Sequence, residues 1–192
     1  MYGEQQLDNV FVTADHHFGH DNIRNFCNRP FNTVEDMDEI LIKKWNERVG
    51  TDGVVYHLGD FTLGRYAENY FKQLNGFIHI IPGGHDSRWM ARDTYAKYTS
   101  ASGESICIYP PILEIGVKVF GVSRPLTIVM CHYAMRVWNK SHYGSMHLYG
   151  HSHGRLPRLG RSMDVGVDAH NFYPISLREV LDELQRIPKP NL

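Results

Sequence analysis

The sequence is poor in cysteine and contains no long apolar run. Its three cysteines, Cys27, Cys107 and Cys131, are odd in number and widely spaced, which argues against a disulfide framework and against a CxxC zinc site. No apolar run approaches the ~18 residues needed to cross a bilayer. The polar segment Met1–Asn9 lacks the apolar core of a signal peptide. We therefore expect a cytoplasmic protein that is neither secreted nor inserted into a membrane.

The sequence also lacks internal repeats, low-complexity tracts and an interdomain linker. Its 192 residues, 42% of them hydrophobic, suffice for one domain with a sizeable core. We therefore expect residues 1–192 to form a single domain. The net charge is only −1, which does not favour general binding of polyanions.

Predicted strands and helices alternate along the chain, which favours an α/β class. A helix is predicted after the capping residue Thr33, a shorter one over Arg65–Leu74, and a third from the capping-box pair Ser176 and Glu179. The β-branched runs within Ser105–Cys131 predict consecutive strands of a second sheet.

Six candidate metal ligands lie just past apolar runs that predict strands. They are Asp15 and His17 after Val10–Ala14, Asp60 after Val54–Leu58, His132 after Leu126–Cys131, and His151 and His153 after Met146–Tyr149. Strand ends are where α/β sheets commonly present their ligands. Carboxylates and imidazoles in this number suit two divalent ions about 3.5–4 Å apart, an arrangement that hydrolyses phosphate esters. The pattern therefore predicts a two-metal phosphoesterase.

In order and spacing these clusters resemble the motifs of the calcineurin-like metallophosphoesterases, which run DxH, GD, GNHD or GNHE, a lone H, and GHxH. The corresponding residues here are Asp15-His16-His17, Gly59-Asp60, Gly83-Gly84-His85-Asp86, His132 and Gly150-His151-Ser152-His153. Stretches such as His17–Ile23 and Tyr56–Phe61 are similar to a small, single-domain bacterial and phage subgroup. The resemblance implies an α/β fold in which two mostly mixed β-sheets pack as a sandwich flanked by helices.

The resemblance also implies a role for each candidate residue. Asp15, His17 and His153 would bind the first metal, Asp60 would bridge both ions, and His132 and His151 would hold the second. His85 would stabilise developing charge or protonate the leaving oxygen, while a hydroxide held between the ions attacks phosphorus. Mn²⁺ is the expected metal, with Fe, Zn²⁺ or Ni²⁺ as alternatives.

Two positions depart from the family pattern. Gly84 stands where the family has an Asn whose amide oxygen binds the second metal. We therefore expect weaker occupancy of that site and slower turnover, whether the glycine is natural or introduced. Leu63 stands where many relatives have an Asp that steadies the histidine. Asp86, adjacent to His85, is a candidate replacement for that partner and is included among the catalytic residues.

Charge distribution gives a second indication of function. The stretch Ile115–Met163 contains no Asp or Glu, and its Lys and Arg residues predict an anion-attracting rim around three of the ligands, although any single cation is more often a solvated surface residue. On the loop after His132, Arg136 is a candidate for gripping phosphate and Trp138 for stacking on a base. His20, just past the DxH motif, is a third candidate for substrate binding.

Other polar residues near the motifs have simpler interpretations. His16 occupies the middle of DxH, so its side chain should point away from the metals. His57 and His79 lie inside predicted strands and are predicted to be structural. Asp164 and Asp168 are interpreted as turn residues at a strand end, with a role as partners of metal-bound imidazoles as the alternative.

The expected activity is hydrolysis of a small phosphodiester or phosphomonoester, with a nucleotide among the candidate substrates. Three alternatives stay open: a nuclease acting on DNA or RNA, a catalytically disabled scaffold of the same fold, and a non-phosphate hydrolase using the same ions. Nucleic acid is the less favoured partner because the chain is nearly neutral. The sequence does not decide the oligomeric state.

Overall fold

The computed structural model describes residues 1–64, 66–90, 97–119, 121 and 124–188. Two mixed β-sheets form its centre. The strands are β1 (Val10–Thr13), β2 (Val54–His57), β3 (Phe77–Ile80), β4 (Cys107–Ile108), β5 (Ile112–Val117), β6 (Leu126–Cys131), β7 (Met146–Tyr149), β8 (Ser162–Asp164) and β9 (Ile175–Ser176). The α-helices are α1 (Asp21–Phe26), α2 (Val34–Arg48), α3 (Ala67–Phe71) and α4 (Leu177–Leu184). The α/β class with two mixed sheets is therefore confirmed.

The first sheet has the strand order β4-β3-β2-β1-β9, and the second has the order β5-β6-β7-β8. Strands β1 to β4 pair in parallel, and β9 joins the edge of β1 antiparallel. In the second sheet β6, β7 and β8 are parallel, whereas β5 is antiparallel to β6. The carboxyl ends of the parallel strands therefore come together at one edge of each sheet.

Side-chain alternation along β1 separates two apolar clusters. Val10 and Val12 face a cluster shared with the second sheet, which includes Met130 and Leu148. Phe11 faces the opposite cluster, against the helices. This period of two is what a strand buried on both faces requires. The two sheets pack face to face, with helices on the other side of the first sheet.

The long helix α2 and the C-terminal helix α4 form where their caps predict them. The Thr33 hydroxyl accepts a hydrogen bond from the Asp36 amide, and Met37, Leu41 and Trp45, four residues apart, are fully buried against the first sheet. Ser176 begins α4 with both hydrogen bonds of a capping box in place. The shorter predicted helix is confirmed over Ala67–Phe71, while Arg65 lies outside the described residues.

One strand prediction is wrong. Cys107–Ile108 pairs in parallel with His79–Ile80 and so belongs to the first sheet, not the second. The crossover to the second sheet comes at Pro110-Pro111, where the missing amide hydrogens stop the ladder. Helix α1 was not predicted, because its six residues are too few to show a helical period. Among the described residues no helix is long and apolar enough to span a membrane.

The edges of the two sheets meet where the candidate ligands lie. Ala14, just past β1, bridges in parallel to Gly166, just past β8. The Gly150 amide donates to the His132 carbonyl, and the His17 amide donates to the Asp60 carbonyl. Backbone hydrogen bonds therefore join the loops after β1 and β2, and the loops after β6, β7 and β8, into one surface.

Candidate metal centre

Five of the six candidate ligands have a backbone conformation that residues other than glycine rarely adopt. The φ angles are 60° for Asp15, 53° for His17, 55° for Asp60, 65° for His151 and 49° for His153. A non-glycine residue in this left-handed region costs on the order of 1–3 kcal/mol and persists only where the surroundings hold it. Such strain concentrates at functional sites, so this group of loops is the prime candidate for one.

Asp15, His17 and His153 form the first triad. One side-chain ligand atom from each lies within 4.8 Å of those of the other two. Asp15 Oδ2 accepts the His151 amide at 2.8 Å, whereas Asp15 Oδ1 and both ring nitrogens of His17 are buried and make no hydrogen bond. Buried polar atoms without partners are costly. A cation between them would remove that cost.

Asp60, His132 and His151 form the second triad, with the same 4.8 Å limit between ligand atoms. His132 Nδ1 donates to the Leu58 carbonyl at 2.7 Å, so in the neutral ring the lone pair is on Nε2. That Nε2 is buried and makes no hydrogen bond. His151 completes the triad from the exposed side of the site.

One oxygen of Asp60 faces both triads. Asp60 Oδ2 lies 3.4 Å from His132 Nε2 in the second triad and 3.6 Å from His17 Nε2 in the first. The other oxygen, Oδ1, accepts the His85 amide at 2.9 Å, which holds the carboxylate in this orientation. Asp60 is therefore placed as a bridging carboxylate would be.

Burial shapes the electrostatics of the first triad. It raises the pKa of the Asp15 carboxyl to about 7, against the opposing influence of His132 and His153. Burial also holds the pKa of His17 far below its usual range, so this imidazole is neutral. The neutral His17 ring and the Asp15 carboxyl, both with unpaired atoms, fit a divalent cation that accepts nitrogen and oxygen ligands.

His153 is oriented by a buried ion pair that the sequence did not reveal. Its Nδ1 lies 2.7 Å from Asp168 Oδ2, and Asp168 accepts two hydrogen bonds of 2.8 Å from Arg29. Burial lowers the pKa of His153, but its hydrogen bond to Asp168, together with Cys27 and the charge of Asp15, outweighs that effect and the pKa rises to about 10. A cation in the first triad would therefore have to displace a proton from His153. Asp168 is therefore a partner of a candidate ligand. The sequence analysis gave this role as the alternative to a turn residue.

Arg29 also ties the loop after β1 to this ion pair. Its guanidinium donates to the Asp15 carbonyl at 2.6 Å and to the His16 carbonyl at 2.8 Å. The side chain of His16 points away from the triads, as expected, and its ring bonds to His57 at 2.9 Å. Cys27 also lies beside His153 and Asp168, a neighbour that its isolated place in the sequence did not indicate.

The loop after β3 requires glycine where it approaches the second triad. A Cβ on Gly83 would lie 2.4 Å from Asp60 Oδ1 and 2.9 Å from His132 Cε1. Such contacts are too short for any side chain, so only glycine fits. A Cβ on Gly84 would lie 3.0 Å from the Tyr133 hydroxyl, and among the described residues outside 83–85 no other heavy atom would lie within 4 Å.

The assignment of Asp86 to the catalytic group is corrected by its contacts. Its side chain is fully buried, and its carboxylate accepts the amides of Asp60 and Phe61 at 2.9 Å and of Gly83 at 2.7 Å. The Trp89 indole nitrogen donates to it as well, at 2.8 Å. With four donors Asp86 joins the loops after β2 and β3. It is a positioning residue, because none of these bonds involves the His85 ring.

His85 and His20 lie at the mouth of the site. His85 is about half exposed, and its Nε2 is 3.8 Å from Asp60 Oδ2. Its ring centre lies 5.5 Å from that of His17, and the His20 ring centre lies 5.6 Å from that of His17. His20 Nδ1 is buried without a hydrogen bond. Both imidazoles can therefore reach a group held over the triads.

Trp138 is not placed to stack on a substrate. Its side chain is buried, its indole nitrogen donates to the Ser145 carbonyl at 3.2 Å, and its ring packs 5.3 Å from that of His147. The expectation for Trp138 is therefore wrong, since the ring serves to anchor its loop. Arg136 lies exposed on the same loop.

Three cations of the predicted rim have partners within the chain. Arg155 donates to the Phe26 carbonyl, Arg158 pairs with Glu183, and Arg161 donates to the Ile187 carbonyl at 2.8 Å. Of the three, only Arg158 has a carboxylate partner among the described residues, so the other two side chains are held in place but keep their positive charge.

Comparisons with known proteins place the chain beside proteins without an assigned activity. No family profile matches it. It is 43% identical over 81 residues to Uncharacterized protein MJ1445 of Methanocaldococcus jannaschii, across 40% of this chain and 46% of that protein. This chain thus matches about half the length of the archaeal protein. It is 26% identical to the Gene 66 protein of Mycobacterium phage L5, across 94% of this chain and 96% of the phage protein.

A solved structure shares the fold. The crystal structure of the protein of unknown function AQ665 from Aquifex aeolicus superposes with a TM-score of 0.65. The match covers 91% of this chain and 98% of that one, at 20% sequence identity. At this identity the likeness shows a shared α/β architecture alone.

Proposed function

We propose that this protein is a metal-dependent phosphoesterase with the fold and two-metal chemistry of the calcineurin-like metallophosphoesterases. The observation that carries the proposal is the position of Asp60 Oδ2, 3.4 Å from a ring nitrogen of one triad and 3.6 Å from a ring nitrogen of the other. A buried carboxylate oxygen shared by two sets of imidazole and carboxylate ligands is what a pair of divalent ions requires.

In this proposal each triad holds one ion, with Mn²⁺ expected first. When bound, the pair supplies an activated water and neutralises charge on the phosphoryl oxygens. The chain itself contributes orientation: Asp168 fixes the His153 ring, the Leu58 carbonyl fixes the His132 ring, and the His85 amide fixes the Asp60 carboxylate. The ligands are therefore held in place before any substrate arrives.

His85 is the proposed proton donor to the leaving oxygen. Its side chain is about half exposed and lies 3.8 Å from the bridging oxygen of Asp60, so it can contact both the solvent side and the group over the triads. An imidazole suits proton transfer near neutral pH. Its backbone is restrained by the hydrogen bond to Asp60, which limits the positions its ring can take.

The substrate proposed is a small phosphodiester or phosphomonoester, including nucleotides. The net charge of −1 weighs against a nuclease, which needs cations along a phosphate backbone, and Glu183 further offsets the charge of Arg158. The buried ligand atoms without hydrogen bonds weigh against a disabled scaffold. Burying them destabilises the fold, and a scaffold that binds no metal gains nothing in return.

The proposal is tested by hydrolysis of a chromogenic phosphodiester and monoester, with metal content measured on the same samples. We expect turnover that depends on Mn²⁺, disappears with a chelator and returns on adding Mn²⁺. Two bound ions with no turnover of these esters, nucleotides or single-stranded DNA and RNA would favour the scaffold. Cleavage of the nucleic acids alone would favour the nuclease.

A His85→Ala substitution is expected to lower kcat for the diester by about 10²- to 10⁴-fold, the usual contribution of general acid catalysis. Metal content should stay unchanged, because no candidate ligand is removed. His142→Ala is the matched control, since His142 is an exposed histidine on the loop between β6 and β7. Equal loss of activity in both variants, or none in either, would remove His85 from the mechanism.

A further inference from the structure

Tyr133 has contacts with the second triad that the sequence analysis did not assign. Its ring lies edge-on to His132 and to His151, with ring centres 4.8 Å apart in each case. The interplanar angles are 77° and 68°, the edge-to-face arrangement favoured by aromatic pairs. About half of the Tyr133 surface is exposed, at 49%. The phenol therefore closes the second triad on its solvent side.

The hydroxyl of Tyr133 lies where a side chain at position 84 would begin. A Cβ at Gly84 would lie 3.0 Å from that oxygen, and no other heavy atom of the described residues outside 83–85 would lie within 4 Å. That contact is tighter than ordinary van der Waals contact, so the phenol would have to shift to admit a side chain at position 84. The position of the Tyr133 phenol therefore depends on the absence of a side chain at position 84.

We propose that the Tyr133 hydroxyl supplies the oxygen donor of the second metal subsite that a glycine at position 84 cannot supply. The second triad has one carboxylate and two imidazoles, fewer than the ligands that most divalent ions take in proteins. Tyr133 contacts both imidazoles and carries its oxygen on the side left open by Gly84. This inference rests on the proposed two-metal site and identifies a residue of it.

The test is calorimetric titration of Mn²⁺ into four proteins: the unmodified chain, Tyr133→Phe, Gly84→Asn, and the variant with both substitutions. Tyr133→Phe should lower the affinity for the second ion by about 10- to 100-fold, the range seen for groups that support a metal site. The affinity for the first ion should not change. Adding Gly84→Asn to Tyr133→Phe should restore the second ion to within about threefold of the unmodified chain. The Phe ring frees the space that the Asn side chain needs.

Gly84→Asn alone should gain little, because its side chain and the phenol compete for one space. Tyr143→Phe is the control, since Tyr143 is an exposed tyrosine whose ring contacts His142; it should leave both ions at unmodified affinity. Circular dichroism on each variant checks that the fold is kept. Binding affinity is the readout, so the test does not depend on finding the substrate.

Three results overturn the role of Tyr133: unchanged affinity for both ions in Tyr133→Phe, equal weakening of both ions, or no recovery on adding Gly84→Asn. If the unmodified chain binds no pair of ions, the proposed function fails and this inference fails with it. If it binds two ions but hydrolyses no phosphoester, the proposed function fails while the four titrations still decide on Tyr133.

Discussion

Asp60→Asn is expected to remove most bound Mn²⁺ and to abolish phosphodiester hydrolysis. Asp60 Oδ2 is the oxygen that lies within 3.4 Å of His132 and 3.6 Å of His17, so its charge acts on both triads. The Asn side chain is neutral and has one oxygen, so the substitution removes the carboxylate that would bridge the two ions. We expect the affinity for metal to fall by more than the 10- to 100-fold, or about 1.4–3 kcal/mol, typical of outer groups. Elemental analysis after gel filtration and the diesterase assay measure both effects.

The same variant should fold normally, which separates loss of metal from loss of structure. Residue 60 has a φ of 55°, and Asn is among the few side chains that tolerate the left-handed region. The amide oxygen can still accept the His85 amide, and the backbone amide of residue 60 still donates to Asp86. The metal-free melting temperature should therefore change little. Asp182→Asn, an exposed acid on α4, is the control for both assays. Full retention of metal and activity by Asp60→Asn would remove the site assignment.

The placement of the triads could be predicted because it depends on local signals. Each candidate ligand follows a run such as Val10–Thr13 or Val54–His57, whose β-branched residues read as a buried strand. Parallel pairing then brings together the strand ends within each sheet. The grouping of ligands across the two sheets, including Asp15 with His153, 138 positions apart, came from the resemblance to the metallophosphoesterases, and neither source could predict the distances.

Contacts between irregular loops could not be predicted. Arg29 and Asp168 are 139 residues apart and lie in segments without a period, so their pairing has no signal in one sequence. The same holds for Tyr133 and Gly84. The indole nitrogen of Trp138 is polar, so the sequence is compatible with an exposed ring. The ring is buried because it packs on His147 and donates to the Ser145 carbonyl, and neither contact has a signal in the sequence. Asp86 was assigned by adjacency to His85, whereas its carboxylate turns toward backbone amides of other loops.

Arg29→Ala is expected to destabilise the metal-free protein by roughly 3–5 kcal/mol, the cost of leaving one member of a buried ion pair uncompensated. The Arg29 side chain is fully buried, and its guanidinium forms a bidentate pair with Asp168 while also donating to the carbonyls of Asp15 and His16. For a chain of this length each kcal/mol corresponds to about 2–4 °C, so the melting temperature should fall by roughly 6–20 °C.

Urea unfolding and calorimetry in chelator measure the change. Lys72→Ala, which removes an exposed pair with Glu68, should cost under about 1 kcal/mol.

The cause of that loss can be isolated by neutralising the partner. If the cost of Arg29→Ala comes from a buried carboxylate without a counterion, then adding Asp168→Asn should recover about 1–3 kcal/mol relative to the sum of the single substitutions. Metal affinity should not recover with it, because His153 then lacks the carboxylate that orients its ring at 2.7 Å. Stability and metal binding should therefore separate in the double variant. Strict additivity of the two unfolding free energies would show instead that Arg29 stabilises the fold through the Asp15 and His16 carbonyls, and that its pairing with Asp168 adds little.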